Sequence, residues 1–163
     1  MIVRARVIAP MAGPPIENGA VVTAGDRIVG LGSFTEISAH HSGEVLDLGD
    51  RVLVPGLINA HCHLDYTCLR GSIPSPKSFA AWIRAINAAK AELSPADYLS
   101  SLRDGFMEAK GFGTTTIVNV TGFPELIPRI DAPINTWWLA ELMESSGQSP
   151  RSATIDPGTA PTD

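Results

Sequence analysis

A change of sequence rhythm at Pro55-Gly56 constrains the fold of this 163-residue chain more than any other feature. Before this pair, short β-branched runs alternate with glycine-containing turns, and after it an apolar run leads into two segments with helical periodicity. Proline and glycine together interrupt regular structure. We therefore predict a β-subdomain over residues 1–55 and a separate α/β segment over residues 56–144.

The amino-terminal part has the pattern of several short strands. A β-branched run over residues 2–8 is followed by two pairs of apolar runs, each of which flanks a turn sequence. We expect residues 19–22 and 27–31 to form one hairpin, and residues 45–48 and 51–54 to form another. Strands at this spacing predict a small, partial β-sandwich.

The second part alternates strand and helix patterns in the order typical of a parallel sheet or barrel. Ser78 and Ser94 are placed as N-caps of two amphipathic helices that end near residues 91 and 111. The predicted strands are residues 57–61, 114–120 and 134–142, with a short helix over residues 124–130. Residues 145–163 are rich in Ser, Thr, Pro and Gly, and we expect a disordered tail there.

Charge and composition exclude several functional classes. The formal net charge is −5 and no cluster of Lys and Arg occurs, which argues against a nucleic-acid or anionic-membrane partner. No apolar run is long enough to span a membrane, and the first residues do not resemble a secretory signal. With only two cysteines, Cys62 and Cys68, the sequence predicts a cytoplasmic protein with free thiols.

The triplet His61-Cys62-His63 carries the clearest chemical signal. On a strand, residues two apart project from the same face, so both imidazoles should converge while Cys62 points away. Two neutral imidazoles are half of a zinc-type site, which needs three or four protein ligands. Alone, such a triplet is more often structural than metal-binding.

The residues around the triplet favour the metal-binding interpretation. Residues 54–65 (Val-Pro-Gly-Leu-Ile-Asn-Ala-His-Cys-His-Leu-Asp) resemble the PG-[FLI]-[IV]-[ND]-x-H-x-H signature of the amidohydrolase superfamily. Leu69-Arg70-Gly71 and the run over residues 113–116 resemble that superfamily's deaminase and chlorohydrolase branch. The resemblance covers about residues 1–144. It implies the amino-terminal part of a (β/α)₈ barrel, with about three strands, preceded in the chain by the β-sandwich subdomain.

The resemblance also implies an activity and a cofactor. It implies hydrolysis of carbon–nitrogen bonds other than peptide bonds, most simply deamination of a nucleoside-like or other aminated heterocycle. One divalent metal, Zn²⁺ or alternatively Fe²⁺, would be held by His61 and His63 together with a later His and Asp. All four histidines lie at positions 40, 41, 61 and 63, so no catalytic residue is assigned. We expect an incomplete barrel in an inactive fragment.

Four further residues are candidates for substrate binding: Arg70, Trp82, Asn119 and Glu141. For each there is a plainer reading, because Arg70 could be a solvated side chain, Trp82 could pack in the core, and the other two could cap strand ends. His40 and His41 are interpreted as a solvated pair in a loop.

Two alternatives stay open. An imidazolonepropionase-like or dihydroorotase-like activity is the second reading within the enzyme class, and Leu69-Arg70-Gly71 favours a deaminase over both. The other alternative is a non-catalytic remnant that pairs with a complementing chain or forms a homo-oligomer, since three barrel strands cannot close on themselves.

Overall fold

The structure is a computed structural model that describes residues 1–141. The chain divides into two compact units, Met1–Ile58 and Asn59–Asp163. The tail predicted over residues 145–163 lies outside the described residues. Among the helices of the described part, none is both long enough and apolar enough to cross a membrane.

The first unit is built on one five-stranded sheet in the order β3-β2-β1-β4, with β5 also paired to β1. The sequence predicted a partial β-sandwich; in the described residues this unit has a single sheet with one helix packed on it. Its elements are β1 Ile2–Ile8, β2 Ile16–Ala24, β3 Arg27–Ser33, α1 Phe34–His40, β4 Val45–Asp47 and β5 Val52–Leu53.

The hairpin of β2 and β3 is confirmed. The two strands are antiparallel, and Gly25 in the turn between them has a φ of +60°, which glycine adopts without a steric cost. Ile2 and Val22 from the sheet pack with Ile37 of α1 to form the buried core of this unit. Ala20 and Val22 lie two residues apart on β2 and so share a face, and Ile2 of β1 lies opposite Val22.

The second predicted hairpin is wrong. β4 and β5 do not pair with each other, since both run parallel to β1, with Val45 opposite Ile2 and Val52 opposite Val7. Gly49, with φ of +66°, turns the chain between them, and its N–H donates to the Asp47 carboxylate at 2.8 Å. One edge of β1 is long enough to accept both short strands, so the chain continues along that edge and does not fold back.

The loop assignment for His40 and His41 is also wrong. His40 is the last residue of α1, and His41 is its C-cap, donating its backbone N–H to the carbonyl of Ile37 at 2.8 Å. The helix begins with a capping box, in which Ser33 and Glu36 satisfy each other's backbone N–H groups. Serine followed three residues later by glutamate was the signal present in the sequence.

The second unit contains a three-stranded sheet in the order β6-β7-β8, and this confirms the α/β class. β7 and β8 are parallel, with Thr116 opposite Asn135. Both long helices begin after the serines predicted as their caps. The elements are β6 Leu57–Cys62, which starts at the end of the first unit, a 3₁₀ helix Leu64–Leu69, α2 Phe79–Ala91, α3 Pro95–Gly111, β7 Thr114–Thr121, a 3₁₀ helix Pro124–Arg129 and β8 Asn135–Ala140.

Helix α3 packs closely against the 3₁₀ helix Leu64–Leu69 that follows β6. Gly105 makes this approach possible, because a Cβ atom there would lie 2.6 Å from Thr67 Oγ1 and 3.0 Å from Leu64 Cβ. Leu102 and Phe106 on the same helix are almost fully buried. The contact holds the segment that follows the His61-Cys62-His63 triplet firmly against a long helix.

Candidate metal centre

The two histidines of the triplet come together at the carboxyl end of β6. His61 is the penultimate residue of the strand and His63 follows its last residue. Their ring centroids are 5.2 Å apart and the ring planes meet at 68°. His61 is exposed and His63 is half-buried, with its Nδ1 atom buried and without a hydrogen-bond partner in the described part of the chain. The described residues therefore leave the hydrogen-bonding capacity of this nitrogen unused.

Cys62 makes contacts of a different kind. Its Sγ atom lies 3.5 Å from the carbonyl oxygen of Val118 and 3.6 Å from Oδ1 of Asn119, both on β7. Burial, with a smaller contribution from the charge of Asp65, raises the pKa of the Cys62 thiol to about 11. Since metals bind the thiolate, a thiol that stays protonated at neutral pH is a poor ligand.

Asn119 connects β7 to the residue that follows His63. Its side chain is fully buried, and its Oδ1 accepts the backbone N–H of Leu64 at 2.9 Å. Its Nδ2 atom has no hydrogen-bond partner within residues 1–141. The structure thus places Asn119 beside the histidine pair as a backbone anchor, while its predicted role in substrate binding stays a prediction.

A buried carboxylate follows the histidine pair. Asp65 is fully buried, and neither of its carboxylate oxygens makes a hydrogen bond of good geometry to a described residue. Burial raises the pKa of this carboxyl group, and nearby backbone amides together with His63 and Lys90 offset part of that effect. The backbone here is held by Ser101 of α3, whose hydroxyl lies 3.0 Å from the carbonyl oxygens of both Leu64 and Asp65.

Glu141 joins the same region through Tyr66. The Tyr66 hydroxyl lies 3.4 Å from Glu141 Oε2, and the Lys90 ammonium donates to that hydroxyl at 2.7 Å. Lys90 Nζ also lies 3.9 Å from the Glu141 carboxylate. The pKa of Tyr66 is raised, chiefly by burial and then by the charge of Glu141. Glu141 comes directly after β8, so strand ends from β6 and β8 both contribute to this group.

The other two substrate candidates make different contacts. Arg70 is exposed and forms an ion pair with Glu108 of α3 at 2.6 Å. Trp82 is half-buried on α2, with its ring centroid 5.7 Å from that of Phe79. Among residues 1–141, no hydrogen bond, ion pair or ring contact links either side chain to the histidine pair, and their roles in substrate binding stay predictions.

The histidine pair fits a metal as two of its ligands. Within residues 1–141, no group of three or more His, Cys, Asp or Glu side chains could hold a metal ion. Because zinc sites use three or four protein ligands, the described residues supply a partial site. The assignment of His61 and His63 as ligands therefore stays a prediction, supported by their proximity and by the unpaired Nδ1 of His63.

Sequence reasoning missed four residues of this region: Asp65, Tyr66, Lys90 and Ser101. The first two adjoin the triplet, so proximity in sequence was an available signal. Lys90 and Ser101 lie on helices, and nothing in their local sequence separates them from solvated side chains. Only the packing of α2 and α3 brings Lys90 and Ser101 close to the residues that follow the triplet.

No protein-family model matches the chain. It is, however, 32% identical over 116 residues to 5-methylthioadenosine/S-adenosylhomocysteine deaminase from Halobacterium salinarum, a match that covers 70% of this chain and 24% of that protein. The chain therefore spans about a quarter of the length of this curated relative. The matching part is the amino-terminal part.

Solved structures give the same fold. Aminofutalosine deaminase from Helicobacter pylori, in complex with methylthio-coformycin, superposes with a TM-score of 0.75 at 20% identity, covering 90% of this chain and 36% of that one. Atrazine chlorohydrolase from Arthrobacter aurescens, complexed with zinc, has a TM-score of 0.61 at 20% identity, covering 73% and 28%.

The motif, the α/β fold and these likenesses agree on the fold of the amidohydrolase class. The chain belongs to the amidohydrolase superfamily and corresponds to the amino-terminal part of its members.

Proposed function

We propose that this chain supplies the amino-terminal part, with the first two metal ligands, of a hydrolase that deaminates a nucleoside-like or other aminated heterocycle. The observation that carries the proposal is the distance of 5.2 Å between the ring centroids of His61 and His63 at the carboxyl end of β6. Barrel active sites are built at the carboxyl ends of the strands. Asn119 and Glu141, from the ends of the next two strands, lie in the same hydrogen-bonded region.

The metal that suits this pair is a divalent ion, with Zn²⁺ favoured over Fe²⁺. Imidazole nitrogen is a preferred zinc ligand, and a similar chlorohydrolase is described as complexed with zinc. A divalent metal held by these residues would lower the pKa of its bound water to about 7 and so supply hydroxide at neutral pH. His61 and His63 would hold the ion, and Asn119 fixes the backbone directly after His63 through the amide of Leu64.

The substrate class follows from the relatives. The sequence relative is named for two adenosine derivatives, and aminofutalosine deaminase was solved with methylthio-coformycin. Both names point to an amino group on a purine-like ring as the leaving group. This supports deamination over the imidazolonepropionase-like and dihydroorotase-like alternatives.

A chimera tests the proposal most sharply. Residues 1–141 would replace the matching part of the Halobacterium salinarum deaminase, and ammonia release from 5-methylthioadenosine would be followed with added Zn²⁺. We expect zinc-dependent deamination that is lost on His61→Ala or His63→Ala and kept on His41→Ala. A folded chimera that binds zinc without turnover, or turnover that survives His61→Ala, would refute the proposal.

The same assay on the chain alone should show no turnover. Every histidine of the chain lies at or before position 63, so no later histidine can act as the third ligand or move a proton to the leaving group. Positioning and proton transfer supply much of an enzyme's rate. Turnover that disappears in the His61→Ala variant would mean that self-association or another chain completes the site.

Association with another chain is the second candidate function. β8 pairs only with β7 among the described residues, and Trp137 on this strand is 69% exposed. An open strand with an exposed aromatic ring favours a further strand beside it. Native mass spectrometry of the purified chain tests this: a dimer or a co-purifying chain supports association, and a monomer at micromolar concentration contradicts it.

A further inference from the structure

The ring of His63 is oriented by a stacking contact. Its imidazole lies almost parallel to the phenol ring of Tyr66, with centroids 4.8 Å apart and planes only 7° apart. Its Nδ1 atom is buried and has no hydrogen-bond partner in the described chain. In most metal sites a hydrogen bond to the second ring nitrogen fixes the orientation of the histidine. Here the face of Tyr66 lies flat on the His63 ring, while the ring of His61 meets it edge-on at a centroid distance of 5.2 Å.

Tyr66 is in turn held by a buried lysine. Lys90 Nζ donates to the Tyr66 hydroxyl at 2.7 Å, and only 10% of the Lys90 side chain is exposed. The phenol oxygen also lies 3.4 Å from the carboxylate of Glu141. An ammonium group this deeply buried is costly unless it is paired, so its contacts are specific. Lys90 lies on α2, and Tyr66 lies in the 3₁₀ helix Leu64–Leu69, three residues after His63.

We propose that Lys90 and Tyr66 are positioning residues for the His63 imidazole: Lys90 fixes the phenol ring, and the phenol ring fixes the plane of the metal-binding histidine. Neither residue is a metal ligand or touches the reacting atoms. As far as metal binding is concerned, this inference rests on the proposed function.

The chemistry of the contact explains its use. A stacking contact uses the face of the imidazole and none of its ring nitrogens, and the ring cannot rotate without losing the stack. Loss of a partner that orients a ligand typically lowers metal affinity about 10- to 100-fold. Lys90 therefore acts on His63 through the side chain of Tyr66, and removal of Lys90 should loosen the orientation of the His63 ring.

The first test is nuclear magnetic resonance of the full chain labelled in its histidine rings. The four histidine signals are assigned with His61→Asn and His63→Asn variants. We expect the His63 ring protons to be displaced by the ring current of Tyr66, and this displacement to vanish in Tyr66→Leu. It should also shrink in Lys90→Met, in which the phenol ring remains but is no longer held. Lys77→Met, at an exposed lysine, is the matched control.

The second test is Zn²⁺ titration of the same variants by calorimetry. We expect affinity to fall about tenfold or more in Lys90→Met and Tyr66→Leu and to be unchanged in Lys77→Met. Should Lys90→Met not fold, Tyr66→Phe keeps the ring and removes only the hydroxyl that Lys90 binds. In that variant we expect a reduced displacement of the His63 signals.

The outcomes separate this inference from the proposed function. His63 signals that are unchanged in folded Tyr66→Leu, or in folded Lys90→Met and Tyr66→Phe, would overturn the positioning role whether or not zinc binds. Zinc affinity unchanged in folded Lys90→Met would overturn its relevance to the metal. If the ring displacement behaves as expected but the wild-type chain binds no zinc, the proposed function fails while the stacking arrangement stands.

Discussion

The side-chain oxygen of Asn119 accepts the backbone N–H of Leu64 at 2.9 Å, which ties the end of β7 to the residue that follows the histidine pair. The amide that makes this bond is fully buried. A strand-end asparagine thus acts on the geometry of the neighbouring strand. His63 is held on both sides of its position in the chain, by β6 before it and by this bond after it.

We expect Asn119→Ala to lower the free energy of unfolding by about 1–3 kcal/mol, because the N–H of Leu64 loses its acceptor in a partly buried environment. Urea unfolding of the full chain measures the change. Asn135→Ala, at an exposed asparagine in β8, is the matched control and should change stability by less than about 0.5 kcal/mol. Equal losses in the two variants would contradict the anchoring role.

The close approach of α3 to the 3₁₀ helix Leu64–Leu69 gives a steric prediction. Gly105→Ala places a Cβ atom 2.6 Å from Thr67 Oγ1, so the variant should be destabilised by about 1–3 kcal/mol. Gly111→Ala, at the end of the same helix, meets no atom within 4 Å and should be neutral or slightly stabilising. If both variants unfold at the same urea concentration, the packing described for Gly105 is wrong.

The capping box of α3 gives a pH dependence. Hydrogen bonds from the side chain and backbone N–H of Ser94 lower the pKa of the Asp97 carboxyl group in the folded chain. Stability from this carboxylate is therefore present above its unfolded pKa and is lost as pH falls through the lowered folded pKa.

We expect Asp97→Asn to be less stable than the parent chain at about pH 6, with the difference shrinking toward about pH 3. Asp104→Asn, at an exposed carboxylate in the middle of the same helix, is the control and should show a smaller change. Denaturant unfolding at both pH values provides the measurement. A difference that grows as pH falls would show that the sign is wrong.

Local signals predicted most of the second unit correctly. The β-branched run of β7 and the serines at 78 and 94 each fix an element by short-range chemistry, so the sequence alone sufficed. The error at β4 and β5 has the opposite origin. Which edge a short strand joins is decided by β1, more than 40 residues away in sequence, and turn residues such as Gly49 do not encode that choice.

The candidate site shows the same division. His61 and His63 were found because a period-2 pair within a recognisable string is a local feature. Lys90 was missed because its contact with Tyr66 spans 24 residues and depends on how α2 packs. Asp65 lies close to the triplet in sequence, but its local pattern does not show that its carboxylate is buried. The two candidate ligands were predictable from the sequence, but the residues that pack around them were not.

Zinc binding by the histidine pair tests the central claim most directly. Calorimetric titration of the 163-residue chain with Zn²⁺ should show one weak site, because two imidazoles are fewer than the three protein ligands of a complete site. His61→Ala and His63→Ala should each abolish that binding, and the double variant His40→Ala/His41→Ala, at an exposed and a half-buried histidine at the end of α1, should leave it unchanged. Zinc binding that persists in the His61→Ala/His63→Ala chain, or that is lost with His40 and His41, would contradict the account.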